Sequence, residues 1–185
     1  MSIHDMTRQF LLNAFAGESM AHMRYLIFSE IAEKDGFPNV ARLFKAIAFA
    51  EQVHARNHYN NLREYDADFD VSAGTPAGPG HTLKNLEEAA RGEEFEVSEM
   101  YPVYLEAARF QGEKNAERSF HFALEAEKIH AKLFREAQSV VEQGKDMQIQ
   151  GKVWICPVCG HTYIGEEPPE KCPICGASQK SYVGF

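Results

Sequence analysis

A chain of 185 residues has room for one domain or two small ones. Charged residues make up 25% and hydrophobic residues 44%, an ordinary globular balance, and a net charge of −8 with no basic run argues against nucleic acid as a partner. No stretch approaches the roughly 20 apolar residues that span a bilayer, and the opening MSIHDMTRQF lacks the basic-then-apolar pattern of a signal peptide. No membrane association is expected.

The first predicted helix runs from about Asp5 to Lys34, with Leu11, Phe15, Met23, Ile27 and Ile31 at helical spacing. Asp35-Gly36-Phe37-Pro38 ends it, because Gly takes the left-handed cap and Pro suits a new first turn. A second helix runs from about Asn39 to Tyr65. Asp66 to Gly80 has no periodicity and reads as a long crossover. A third helix spans about Thr82 to Phe110, Gly112 repeats the role of Gly36, and a fourth helix continues to about Gln143. Short turns within each half and a long link between halves predict an all-α, ferritin-like four-helix bundle with one crossover. After Gly144 the pattern changes to Cys, Pro and Gly, so the boundary falls near Gln150-Gly151, giving domains of residues 1–150 and 151–185.

The chain repeats itself at an offset of 75 to 76 residues. Glu18 meets Glu93, Tyr25 meets Tyr101, and Glu51-x-x-His54 meets Glu127-x-x-His130. On a helix, Glu-x-x-His puts both side chains on one face, one turn apart. A single such pair is ordinary helix decoration. Two at matching places, each preceded by a Gly-Glu, supply four carboxylates and two imidazoles, the ligand set of a carboxylate-bridged two-metal site. Without metal, so many carboxylates at one depth would suffer desolvation and mutual repulsion.

The halves differ in one place. Glu18 to Tyr25 is seven residues and Glu93 to Tyr101 is eight, so the third helix has gained one residue, which a π-bulge would absorb. Glu96 in that stretch has no counterpart and is a candidate fifth carboxylate. Glu94 is an alternative to Glu93, which the alignment of Gly17-Glu18 with Gly92-Glu93 favours. Tyr25 and Tyr101 either pack in the core or aim phenols at the metals. His22 and His58, four residues after Glu18 and His54, could back the site, although packed or exposed imidazoles are the commoner outcome, and His121 reads as surface.

The tail holds Cys156-Pro-Val-Cys159-Gly and Cys172-Pro-Ile-Cys175-Gly. This is the spacing of a four-thiolate metal site rather than a disulfide framework, and it fits a reducing cytoplasm. Zinc and iron use the same spacing; beside a two-metal bundle, electron-carrying iron is favoured.

On F-A-G-E-S at Phe15 to Ser19, R-Y at Arg24-Tyr25, E-x-x-H-A at Glu51 to Ala55, G-E-x-x-E at Gly92 to Glu96, E-M-Y-P at Glu99 to Pro102, E-x-x-H at Glu127 to His130 and the paired C-P-x-C-G, the chain resembles the rubrerythrin family. The resemblance implies a di-iron bundle followed by a rubredoxin-like iron domain, and reduction of hydrogen peroxide to water under oxidative stress. Electrons would come from NAD(P)H through a separate reductase or rubredoxin. By motif, Glu18, Glu51, Glu93, Glu96, Glu127 and His130 would be ligands, with His54 replacing Glu96 when iron is reduced. It also implies a homodimer that sets one subunit's tail site near the other's bundle site. The rival readings are a ferroxidase that stores iron and a non-catalytic electron-transfer protein with structural zinc in its tail.

Overall fold

The computed structural model describes residues 3–185 apart from residues 64, 66, 67 and 72. Helices α1 (Asp5–Lys34) and α2 (Pro38–Asn60) form one hairpin. The other consists of α3 (Thr82–Phe95), a π-helical turn (Glu96–Met100) and α4 (Tyr101–Phe110), followed by α5 (Lys114–Val141). The extra residue of the third helical segment is therefore taken up as a π turn, immediately after Phe95. Both hairpin turns rely on glycine: Gly36 and Gly112 sit at φ +88° and +73°, where a Cβ is disfavoured.

Helix α2 stops at Asn60 rather than at the expected Tyr65. The Asn61 N–H bonds the His58 carbonyl at 3.1 Å and Leu62 N–H bonds that of Tyr59 at 2.9 Å, so the backbone has tightened to three-residue spacing. The Asn61 side chain also donates to the Asn57 carbonyl at 2.8 Å, the local competition that disfavours Asn inside helices. The crossover then carries no helix or strand among the described residues; Glu64, in the expected end of α2, and Asp66, Ala67 and Ser72, in the expected crossover, lie outside them.

Two carboxylates tie the ends of this architecture. Asp35, just past α1, accepts from the Thr82 N–H at 3.0 Å and hydroxyl at 2.7 Å, fixing the start of α3. Asp146, after α5, accepts from the N–H groups of Asn39 and Val40 at 2.8 and 3.2 Å, satisfying the first turn of α2 from the linker.

The core divides into two apolar clusters. One surrounds Tyr25, Phe28, Phe44 and Phe134; the other surrounds Leu11, Tyr101, Leu105 and Phe120. Along every helix, the Glu and His residues of the repeat fall between these clusters. Each large side chain buried there contributes about 1.5–3 kcal/mol, which keeps the polar layer dry and in place.

The tail is an antiparallel three-stranded sheet of β1 (Lys152–Ile155), β2 (Thr162–Gly165) and β3 (Val183–Gly184), in the order β2-β1-β3. Trp154 is paired with Tyr163 on one side and Gly184 on the other. Val153 and Ile155 are fully buried within the first bundle cluster. Strand β1 thus welds the tail to the helices.

Candidate metal centres

In the bundle, Glu18, Glu51, His54 and Glu127 bring one ligand atom each to within 4.8 Å of one another, and Glu51, Glu93, Glu127 and His130 do the same. The two groups share Glu51 and Glu127, as bridging carboxylates of a two-metal site would. None of these six side chains is more than 2% exposed. The inward edge of each imidazole is Nδ1: His54 Nδ1 lies 3.1 Å from Glu51 and 2.6 Å from Glu127, and His130 Nδ1 lies 2.6 Å from Glu127 and 3.2 Å from Glu51.

The chemistry of this donor set fits divalent cations. Glu18 Oε2, Glu51 Oε1 and Glu127 Oε1 are buried without an aligned hydrogen-bond partner. A buried, unsatisfied carboxylate oxygen is strongly destabilising unless a cation meets it. Without a cation, protons would have to balance the charge of the cluster. Burial, then repulsion from Glu51 and Glu127, pushes Glu18 well above the usual carboxylate range, and burial with the same two neighbours does this to Glu93. Burial and then Glu18 push the half-buried Glu96 up likewise. Glu127 moves the other way: attraction to His54 and His130 outweighs its burial and holds it well down. Burial opposes charge on His130 too, but Glu127 and Glu51 raise it to about 9. Metal binding would displace these protons.

Each phenol of the repeat anchors a carboxylate of the opposite half. Tyr25 donates to Glu93 Oε1 at 2.5 Å, and Tyr101 donates a short bond to Glu18 Oε1. Both rings are also core residues, so the packing and hydrogen-bonding readings hold together. Glu93 faces inward while Glu94 is exposed and paired with Arg135. Glu96, on the π turn, belongs to neither four-residue group, and His54 belongs to one.

In the tail, the four Sγ atoms cluster within 4.8 Å, with Cys159–Cys172 at 3.4 Å and Cys156–Cys175 at 3.6 Å, and no disulfide forms. The first knuckle sits directly on the bundle. His54 Nε2 meets the Cys159 carbonyl at 3.2 Å, and His130 Nε2 meets Thr162 Oγ1 at 2.8 Å. Arg56 and Asn57 donate to the carbonyls of Pro157 and Val158 at 2.5 and 2.9 Å. Gly160, at φ +80°, faces the His54 ring so closely that a Cβ there would collide with Nε2. Within one chain, the tail's first knuckle is in direct contact with the bundle site.

Sequence reasoning missed three residues of this junction and its surroundings. Thr162 and Gly160 touch the imidazoles of His130 and His54 from the tail, which no spacing rule within the bundle could disclose. His58 is fully buried and backs Tyr101, bonding its hydroxyl at 3.0 Å, whereas a packed or exposed imidazole was the favoured reading. The available signal was the repeat: His58 stands where the second half has Phe134.

The rubrerythrin family's sequence pattern matches residues 9–138, and that of the rubrerythrin rubredoxin-like domain matches residues 154–183. The chain belongs to the rubrerythrin family. It is 55% identical to rubrerythrin-2 of Clostridium acetobutylicum over 186 aligned positions, covering 100% of each chain. It is 36% identical to a rubrerythrin of Nitratidesulfovibrio vulgaris, over 91% of this chain and 88% of that one. A nigerythrin in its fully reduced, all-ferrous state superposes with a TM-score of 0.84 at 31% identity, covering 100% of this chain and 89% of that one. The chain thus carries this oxidoreductase family's di-iron carboxylate/histidine site in a ferritin-like bundle, followed by its rubredoxin-like four-cysteine site. Among the described residues no helix is long and apolar enough to cross a membrane.

Proposed function

We propose that the protein is a cytoplasmic peroxidase that reduces hydrogen peroxide to water under oxidative stress, with electrons entering through the four-cysteine site. The observation that carries this reading is the contact of His54 Nε2 with the carbonyl of Cys159, which sets a cysteine of the four-thiolate site directly against a ligand of the bundle site. Iron storage has no use for such a junction.

Glu18, Glu51, Glu93, Glu127 and His130, joined by either His54 or Glu96, would hold two irons, which would supply the reducing electrons; peroxide, two electrons and two protons give two waters. Tyr25 and Tyr101 fix the outer oxygens of Glu93 and Glu18. The Cys159 carbonyl and Thr162 hydroxyl occupy the Nε2 edges of His54 and His130, so that Nδ1 faces the clustered carboxylates. With His54 inside the cluster and Glu96 outside it, the arrangement suits iron(II), because a neutral imidazole in place of a carboxylate lowers negative charge. Oxidation should bring Glu96 in and move His54 out. The π turn supports this reading, since it places Glu96 on a segment without regular α-helical bonding. Identical ligands in oxidised and reduced crystals would remove the exchange.

The tail iron would be recharged by an NAD(P)H-linked reductase or a rubredoxin. The chain is expected to form a homodimer, but the contact seen here needs no second copy. The deciding experiment mixes anaerobically reduced protein with stoichiometric peroxide and follows both iron chromophores. Rapid oxidation of the bundle irons, followed by the tail iron, is expected. Peroxide consumption equal to that of protein with an emptied bundle site would exclude the reading.

A further inference from the structure

Every ligand of the two four-residue groups in the bundle is buried, yet the proposed reaction consumes two protons per peroxide. The two halves of the repeat treat their phenols differently in this respect. Tyr25, bonded to Glu93, is enclosed by Phe28, Phe44 and Phe134, with ring centroids at 6.2, 5.9 and 5.2 Å. Among the described residues its hydroxyl bonds only Glu93. Tyr101, bonded to Glu18, has His58 where the other half has Phe134, and Ser119 where the other half has Leu43. His58 Nε2 lies 3.0 Å from the Tyr101 hydroxyl, and His58 Nδ1 lies 2.9 Å from Ser119 Oγ. Ser119 is 5% exposed and lines a groove of about 1000 Å³. Asn57, Asn60, Arg63 and Arg118 line it too, and the last three are exposed to solvent.

We propose that Ser119, His58 and Tyr101 form a proton relay from this groove to Glu18, at the edge of the bundle site. The directions of the bonds are mutually consistent. The single hydrogen of Tyr101 goes to Glu18, so its oxygen accepts from His58 Nε2–H. The other ring nitrogen, Nδ1, is then an acceptor and takes the Ser119 hydroxyl hydrogen. A shift along the chain moves the Tyr101 proton to Glu18, the Nε2 proton to Tyr101, the Ser119 proton to Nδ1, and one proton from the groove to Ser119. One proton enters, one arrives, and each intermediate group ends as neutral as it began. Return of the imidazole to its Nε2–H tautomer and rotation of the two hydroxyls reset the chain.

His58 and Ser119 touch neither substrate nor metal; they act through Tyr101. The use assigned to the relay rests on the peroxide chemistry proposed above, but its existence does not. The test is therefore made without turnover, on the full-length chain with zinc at both sites and tyrosines labelled at the ring carbon that bears the hydroxyl. The deuterium isotope shift at that carbon reports exchange of each hydroxyl proton with solvent. Tyr25 should exchange only through local opening of the bundle, and Tyr101 at least about tenfold faster, because the relay needs no opening. His58→Gln, which can hold hydrogen bonds but cannot pass a proton between two ring nitrogens, should bring Tyr101 down toward the rate of Tyr25. Ser119→Ala, loss of one hydroxyl, should do the same, and neither should move Tyr25. Equal rates for the two phenols in the unaltered chain, or a Tyr101 rate that survives both substitutions, would overturn the relay. Slow peroxide turnover with fast Tyr101 exchange would instead count against the peroxidase reading alone.

Discussion

The two metal sites of this chain are built in opposite ways. The bundle site lies between two apolar clusters that would exist without it, and those clusters force charged groups into a dry layer. The tail has little core of its own. Its own buried apolar cluster consists of Cys156, Cys159, Cys172 and Tyr182, while Val153 and Ile155 pack into the bundle. In the bundle, the fold holds the ligands and the metal relieves a strain. In the tail, the metal holds the fold. Removing metal should therefore have different consequences at the two sites.

The largest effect is expected from Cys172→Ser. With three thiolates the tail iron is lost or labile, and metal-binding free energy is folding free energy in a module of this size. Multiple turnover with a reductase should fall to background, the tail chromophore should vanish, and the helical circular dichroism of the bundle should stay. A single turnover of chemically reduced bundle iron should also persist. Loss of helical signal together with the tail would show that the bundle depends on its appendage, and the contrast between the sites would fail.

The contrast also explains what could be read from the sequence. Features that depend on spacing along the chain were legible: the grouping of Glu51-x-x-His54 with Glu127-x-x-His130, the clustering of the four Cys, and the π turn that follows from one extra residue before Tyr101. The end of α2 was not, because the Asn60-Asn61 pair carries helix-compatible neighbours and only its hydrogen bonds show the chain leaving the helix. Contacts between the two domains were invisible for a different reason. Gly160 reads as the closing glycine of a C-P-x-C-G knuckle, and nothing in one dimension says that an imidazole from residue 54 will lie against it. His58 was misjudged because burial alone does not distinguish a packed imidazole from one with a partner on each nitrogen.

A smaller effect tests the junction itself. Gly160 and Gly176 follow the two knuckles at equivalent places, with φ of +80° and +77°. A Cβ at either position meets left-handed backbone strain of about 1–2 kcal/mol. At Gly176 it meets no atom within 4 Å, but at Gly160 it meets His54. Gly176→Ala therefore measures strain alone, and Gly160→Ala measures strain plus lost docking. Rapid-mixing kinetics of electron transfer from tail to bundle should be slowed by Gly160→Ala at least about tenfold beyond Gly176→Ala, the factor given by a further ~1.4 kcal/mol against the docked state. Equal slowing by both would mean that His54 and the first knuckle do not form the electron route.

The smallest effect concerns the bundle without metal, and its sign follows from which groups hold protons. His130 is raised to about 9 in the folded chain by Glu127 and Glu51, despite burial, from an ordinary value of 6.5. A group raised on folding contributes stability that is complete below its unfolded pKa and is lost as pH rises through its folded one. His54 is raised as well, and buried Glu18 and Glu93 shift in the direction that gives the same sign. Glu51 and Glu127 are lowered, so their contribution is lost on the acid side, as pH falls from about 4.5. Metal-free protein should therefore melt at progressively lower temperature as pH rises from about 6.5 through about 9, by about 2–4 °C for each kcal/mol lost in a chain of this size. With metal bound, the ligand imidazoles already lack that proton, and the decline over this window should disappear. Melting curves with and without metal at a series of pH values decide the point. A metal-free melting temperature that is flat or rising across the window would mean that the imidazoles are neutral before metal arrives, and that the bundle balances its carboxylates by some means other than these protons.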